Sequence, residues 1–450
     1  GDGPFGWMGG VYYYDQELSH DRTSTFGPSL RQFADLASGG AVTSLENILG
    51  IFRGVAPGTF LGDGTGLTSE RFDQDDQAFA IFANADYEIT PQLTVSGGLR
   101  WAQEDKDVAS NVTTNAPFSE LDLQNIPELA LLPPAFGGPL PVNAFAPLTG
   151  FQFFPPFTNF EDSRSESNVS GSIRLEYEVS DYLNVYGSYN TGWKAGGFNL
   201  SVATTATAPD FDAEDVSSFE LGAKGSLFNG AMTVNAAWFD QTIEDFQTNI
   251  FNGTNFTLKN AGEISLTGFE VDTLITPSEY MIFTAAATYL DDQFDSFVGG
   301  PCLNSGFLAS VPNPQDFATC NPLDPSFTNT NDLSGKERTT TPEWSANATA
   351  TFILPMGEYK SFLRGEMQYR GDTTASSDGT PGKEIDAYTL FNASVGVTFP
   401  DDDMDLVFWG KNLTDEEFAQ GIFDTVAQPG SLSGYPNDPP TYGVTLRIRR

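Results

Sequence analysis

Residues 169–179 read Val-Ser-Gly-Ser-Ile-Arg-Leu-Glu-Tyr-Glu-Val. Val169, Ile173, Leu175, Tyr177 and Val179 take the odd positions, and Ser170, Ser172, Arg174, Glu176 and Glu178 the even ones. Successive side chains of a strand point to opposite faces, so this segment has one apolar face and one wet face. The same period of two runs through Phe79, Ile81, Ala83, Ala85, Tyr87 and Ile89, and through Leu93, Val95, Gly97, Leu99 and Trp101. It returns in Met232, Val234, Ala236 and Trp238, in Trp344, Ala346, Ala348, Ala350, Phe352 and Leu354, and finally in Tyr442, Val444, Leu446 and Ile448.

Fourteen strands are expected, starting near Trp7, Gln77, Leu93, Asn168, Leu183, Val216, Ala231, Ala261, Tyr280, Pro342, Tyr359, Ala387, Met404 and Thr441. Short turns fall around Thr90-Pro91, Ser180-Asp181, Asn229-Gly230, Pro277-Ser278, Pro355-Met356-Gly357 and Asp401-Asp402-Asp403. Between them lie long polar segments, Asp15 to Asp76, Glu104 to Ser167, Ala195 to Asp215, Glu244 to Asn260, Asp291 to Thr341, Gly371 to Asp386 and Asn412 to Pro440. In an antiparallel meander successive connections alternate between the two ends of the sheet. All long segments are therefore expected at one rim and all short turns at the other, the asymmetry of barrels with short periplasmic turns and long external loops.

The faces point the same way. Trp101, Trp193, Trp238 and Trp344 fall on the apolar parity near the long-loop ends, where indoles build an interfacial girdle. Arg100, Arg174, Glu176, Glu220, Lys224, Glu270 and Asp272 load the opposite face with more charge than a dry core tolerates. No run approaches the roughly 18 apolar residues of a membrane helix. The fold expected is an all-β, antiparallel transmembrane barrel wall in a bacterial outer membrane, in contact with its lipid.

Composition narrows the chemistry. Asp and Glu number 60 against 21 Lys and Arg, a formal charge of −39, which argues against phosphate-mediated nucleic-acid binding. A solvated surface suited to a salty habitat explains the acidity as well as attraction of cations does. The one histidine, His20, excludes Ser-His-Asp and Cys-His catalysis and His-rich zinc sites by inventory. Acidic runs at Asp73 to Asp76, Asp212 to Asp215 and Asp401 to Asp403 lack an EF-hand spacing. Gly62 to Gly66 lacks the Lys-Ser/Thr of a phosphate loop. No catalytic residue, cofactor or metal is expected, and the chain is not read as an enzyme. Cys302 and Cys320 share one polar segment rich in Pro and Asn, as a loop disulfide would in an oxidising compartment, with a pair of free thiols as the alternative.

One segment suggests ligand contact. Between Pro127 and Pro156 eight prolines interleave with Phe136, Phe145, Phe151, Phe153, Phe154 and Phe157. Proline limits the entropy lost on ordering and phenylalanine supplies apolar area, so this loop could cover the mouth of a barrel or grip an apolar ligand. The plain alternative is a loop that packs on itself.

Several stretches resemble TonB-dependent outer-membrane receptors: Val185 to Asn199 (VYGSYNTGWKAGGFN), Ser218 to Phe228 (SFELGAKGSLF) and Lys259 to Val271 (KNAGEISLTGFEV). Tyr388 to Phe399 (YTLFNASVGVTF), Phe408 to Phe418 (FWGKNLTDEEF) and Thr441 to Ile448 (TYGVTLRI) extend the resemblance across most of the chain. It implies active uptake of a scarce solute, in the iron-siderophore, cobalamin or glycan class, bound at the external loops and driven by TonB. The expected domain is residues 1–450 as receptor barrel, without plug domain, TonB box or signal peptide. Contact with TonB would then run only through a missing N-terminal region. Because plugged transporters have 22 strands, fourteen implies a wall that begins partway round. Two alternatives stand beside this reading: a plugless passive pore closed by pairing the strand near Trp7 with that near Thr441, and a secreted soluble β-rich binding protein.

Overall fold

The computed structural model describes residues 3–56, 58–61, 66–152, 157–201, 203, 208–251, 256–303, 320, 330–400, 403–425, 428 and 430–449. One fourteen-stranded antiparallel sheet dominates it. In chain order its strands are β1 (Phe5–Thr25), β2 (Leu67–Thr90), β3 (Leu93–Asn115), β4 (Glu161–Ser180), β5 (Leu183–Lys194), β6 (Glu214–Leu227) and β7 (Met232–Phe251). They continue as β8 (Phe256–Ser278), β9 (Met281–Ser296), β10 (Trp344–Met356), β11 (Tyr359–Arg370), β12 (Tyr388–Thr398), β13 (Met404–Lys411) and β14 (Thr441–Ile448). Each pairs with its neighbours in sequence, so the number and order of strands are those expected from the alternation.

Register turns the alternation into a membrane band. Val11, Ile81, Trp101 and Val169 form one row across β1 to β4. Two rows nearer the long-loop rim, the outward positions become Asp15, Gln77, Asp105 and Ser165. The apolar stretch of β2 from Ile89 to Phe79 is ten residue steps. At about 3.4 Å per residue and a tilt near 40°, that spans roughly 25 Å, the height of an outer-membrane barrel's apolar band. Outward residues in the band lie bare, Leu99 at 68% and Val169 at 63% exposed, which a soluble sandwich would not tolerate over so wide a face. Trp101, Trp238 and Trp344 sit outward near its upper edge, each edge-on to a phenylalanine (Phe79, Phe219 and Phe269). Trp193, expected among them, is half-buried and is among the residues bordering the cleft described below.

Three expectations are corrected. Polar segments read as loops are ladder in their membrane-near parts: Asp15 to Thr25 pairs with Leu67 to Gln77, and Asp105 to Asn115 extends β3. Above the membrane both faces of a strand are wet, so the alternation that marks strands in the band vanishes while the backbone pairing continues. The Glu244 to Asn260 segment is likewise the top of a tall β7–β8 hairpin, joined through residues 252–255. Within the first long connection two helices form, α1 (Leu30–Ala37) and α2 (Ala41–Arg53), where none was expected. Among the described residues β1 pairs only with β2 and β14 only with β13. The ladder that a closed fourteen-stranded pore needs, between β1 and β14, is not formed.

Candidate functional site

The inner face is polar and cross-linked. The Tyr186 hydroxyl donates to Glu220 at 2.6 Å, and the Arg174 guanidinium lies 4.0 Å from the Tyr186 ring centre. The Asn184 amide donates to Glu176, and the Asn235 amide to Asp272. Charges here keep water or each other as partners, as a hydrated lumen allows.

Nearer the external rim the wall closes on itself. Phe72, Val108, Val112, Phe160 and Phe198 form a buried apolar cluster inside the mouth. The described parts of the connection from β5 to β6, residues 195–201, 203 and 208–213, fold across it as a strap. The Lys106 ammonium donates to the Gly196 carbonyl at 2.8 Å, and the Gly196 N–H donates to Glu166 at 2.7 Å. On the far side the Gln247 amide donates to the carbonyls of Ala195 and Asp212, and Asn199 exchanges two hydrogen bonds with the backbone of Leu258. The strap thus joins β3 and β4 to β7 and β8, which lie far apart along the sheet.

Beneath it opens a cleft of about 660 Å³, bordered by Tyr12, Tyr14, Asp76, Arg100, Lys106, Trp193, Lys194 and Phe211. Arg100 stacks over Tyr12, 5.6 Å from the ring centre. Lys106 is paired with Glu104 at 2.5 Å. No carboxylate among the described residues comes within ion-pair distance of Arg100 or Lys194. Asp76 Oδ1 is buried at this cleft without a hydrogen-bond partner among the described residues.

The chain matches the family model described as TonB dependent receptor-like, beta-barrel, over residues 5–413. It belongs to the TonB-dependent receptor family. The family is one of bacterial outer-membrane receptors, not of enzymes. Its fold is similar to that of the ferric yersiniabactin uptake receptor of Yersinia pestis, with a TM-score of 0.61 and 16% identity, covering 85% of this chain and 47% of that one. It is also similar to the siderophore receptor PiuA of Acinetobacter baumannii, with a TM-score of 0.56 and 17% identity, covering 84% and 44%. The pesticin receptor of Yersinia pestis is 29% identical over 110 residues, which are 24% of this chain and 16% of that protein. The receptor chain thus spans about half the length of these solved relatives.

Of the loop phenylalanines of the receptor, Phe145 and Phe151 are brought together, and Phe136 and Phe157 lie apart from them. Phe145 is buried and Phe151 partly buried in a small external cap, whose core includes Leu45, Leu49, Phe118 and Leu129. Phe157 packs on the mouth cluster. Phe136 stands 57% exposed, and Phe153 and Phe154 lie outside the described residues. Cys302 and Cys320 are bonded to each other, with their Cα atoms 5.4 Å apart. Among the described residues no group of His, Cys, Asp or Glu is arranged to hold a metal ion. Arg100 was legible as lumen-facing from its parity; Tyr12, Tyr14 and Lys194 were not singled out, although the scarcity of basic residues marked Lys194 for attention.

Proposed function

We propose that this receptor takes up an anionic ligand, in the iron-siderophore class, through the strapped cleft, with energy supplied by TonB. The observation that carries the reading is the pair Arg100 and Lys194, cations without carboxylate partners facing a cleft walled by Tyr12, Tyr14 and Trp193. Charge-assisted hydrogen bonds suit an anionic chelate, and the aromatic rings suit its organic shell. The uptake of iron chelates named for the Yersinia and Acinetobacter proteins supports this class over cobalamin or glycan. Exposed Phe136 is available as a further contact from above. The unpaired outer edges of β1 and β14 support a wall shared with further strands, as in a 22-stranded barrel.

The test is titration of the full receptor in detergent with ferric catecholates, ferric phenolates, cobalamin and neutral oligosaccharides, read by tryptophan fluorescence. Anionic ferric chelates should bind, and Arg100→Ala with Lys194→Ala should weaken them about tenfold or more. Binding of cobalamin or a neutral glycan that ignores both substitutions would overturn the reading.

A further inference from the structure

Two carboxylates border the strapped cleft, Asp76 and Glu104. Glu104 is ion-paired with Lys106 at 2.5 Å. The ladder sets Asp76 between Gln16 on β1 and Lys106 on β3, so a cation stands directly opposite it as well. That ammonium is committed elsewhere, to Glu104 and to the Gly196 carbonyl of the strap at 2.8 Å. Among the described residues neither oxygen of Asp76 accepts a hydrogen bond, and Oδ1 is shielded from water. A desolvated carboxylate without a donor weakens the fold, and such a group in a native protein calls for a role. Asp76 ties no neighbour in place, so that role lies in the cleft it borders.

We propose that Asp76 is a specificity-determining residue of the uptake cleft that reads a protonated amine on the ligand, so that the receptor selects zwitterionic ferric chelates over purely anionic ones. The inference rests on the uptake reading above and narrows its ligand class. An ammonium donates a charge-assisted hydrogen bond to the carboxylate, while Arg100 and Lys194 take the anionic oxygens of the chelate. A neutral hydroxyl donates to the same carboxylate more weakly. A chelate without a donor leaves Asp76 desolvated and unpaired, and brings its own negative charge toward that carboxylate. Sites built to pair a polar group reject ligands that leave it unpaired far more strongly than apolar walls reject a poor fit.

The test titrates the full receptor in detergent with two probes, read by tryptophan fluorescence: the ferric complex of dihydroxybenzoyl-lysine with its side-chain amine free, and the same complex with that amine acetylated. Wild-type protein should bind the free-amine probe about tenfold more tightly. Asp76→Asn keeps the shape and drops the charge, and Asp76→Ala removes the acceptor; each should bring the two affinities within about twofold of each other. Neither variant should lower the urea unfolding midpoint, and a heat-modifiable gel shift confirms that each is folded. Equal affinities in the wild type, a preference that survives both substitutions, or a lowered midpoint in both variants overturns the inference. Should the wild type bind both probes equally yet lose them on Arg100→Ala with Lys194→Ala, the inference falls and the uptake reading stands. Probes that ignore that double substitution, or fail to bind at all, remove both.

Discussion

The ring of Tyr186 lies over Gly222, its partner directly across the β5–β6 ladder, so close that a Cβ at Gly222 would come within 2.3 Å of it. The contact holds the Tyr186 hydroxyl on Glu220 and leaves the ring under Arg174. The same arrangement recurs across other ladders, with Phe82 over Gly10, Phe239 over Gly268, Phe362 over Gly396 and Trp409 over Gly443. Gly222→Ala should displace the ring and break its bond to Glu220, costing about 1–3 kcal/mol. Urea unfolding from lipid vesicles reads the loss. Adding Tyr186→Ala should make the methyl harmless, so a cycle in which the two costs simply add would disprove the contact's role.

Opposite faces of one strand should differ sharply in their tolerance of charge. Val185 lies outward beside Tyr177 and Ala223, whereas neighbouring Asn184 faces the lumen and donates to Glu176. Val185→Arg should cost roughly 2–4 kcal/mol in a bilayer, and Asn184→Arg, which gains Glu176 as a counter-ion, should cost little. Equal unfolding midpoints for the two variants would contradict the assigned faces.

Glu46 organises the external cap. It is 1% exposed, ion-paired with Arg31 at 2.5 Å, and accepts hydrogen bonds from the backbone N–H groups of Gly58, Phe60 and Leu61. Glu46→Ala strands four donors at once, and breaking such a buried pair costs about 3–5 kcal/mol. Hydrogen exchange should rise across α1 and α2 while the sheet stays protected. Unchanged protection in both helices would refute the role.

Low pH should loosen the same cap at a second point. Arg53, at the end of α2, donates to Glu128 at 2.7 Å and holds that carboxyl below the usual carboxylate range. A depressed carboxyl contributes stability above its ordinary pKa and loses it as pH falls through the depressed value. Both side chains are partly exposed, so the contribution is roughly 0.2–1 kcal/mol. Cap exchange rates should rise on acidification near and below pH 4, and Arg53→Ala should remove that part of the pH dependence. An acid response that is identical in the variant would show that another group controls it.

Much of this architecture is legible in the sequence and part of it is not. Ile173 and Val185 announce their outward faces because in the band one side of the strand meets hydrocarbon and the other water. Asp15 to Thr25 and Leu67 to Gln77 carry no such contrast, so eleven further ladder pairs were invisible until their partners were aligned. The cap helices had a readable signal in Val42, Leu45 and Leu49, spaced for one helical face, but the surrounding glycines and polar residues masked it. The phenylalanines of the second loop were conspicuous, yet Phe145 and Phe151 serve the cap core, which requires helices from a different loop.

Alternation is a local property, and by itself it determined the two faces, the fourteen strands, the membrane band and the rim that carries the long connections. Register and the path of the loops were left to the tertiary structure. Backbone ladder hydrogen bonds are the same for every residue, so which inward side chains meet is settled only when whole strands align and their connections fold back. That is why Arg100 and Lys194, on strands that do not touch in the ladder, come to border one cleft.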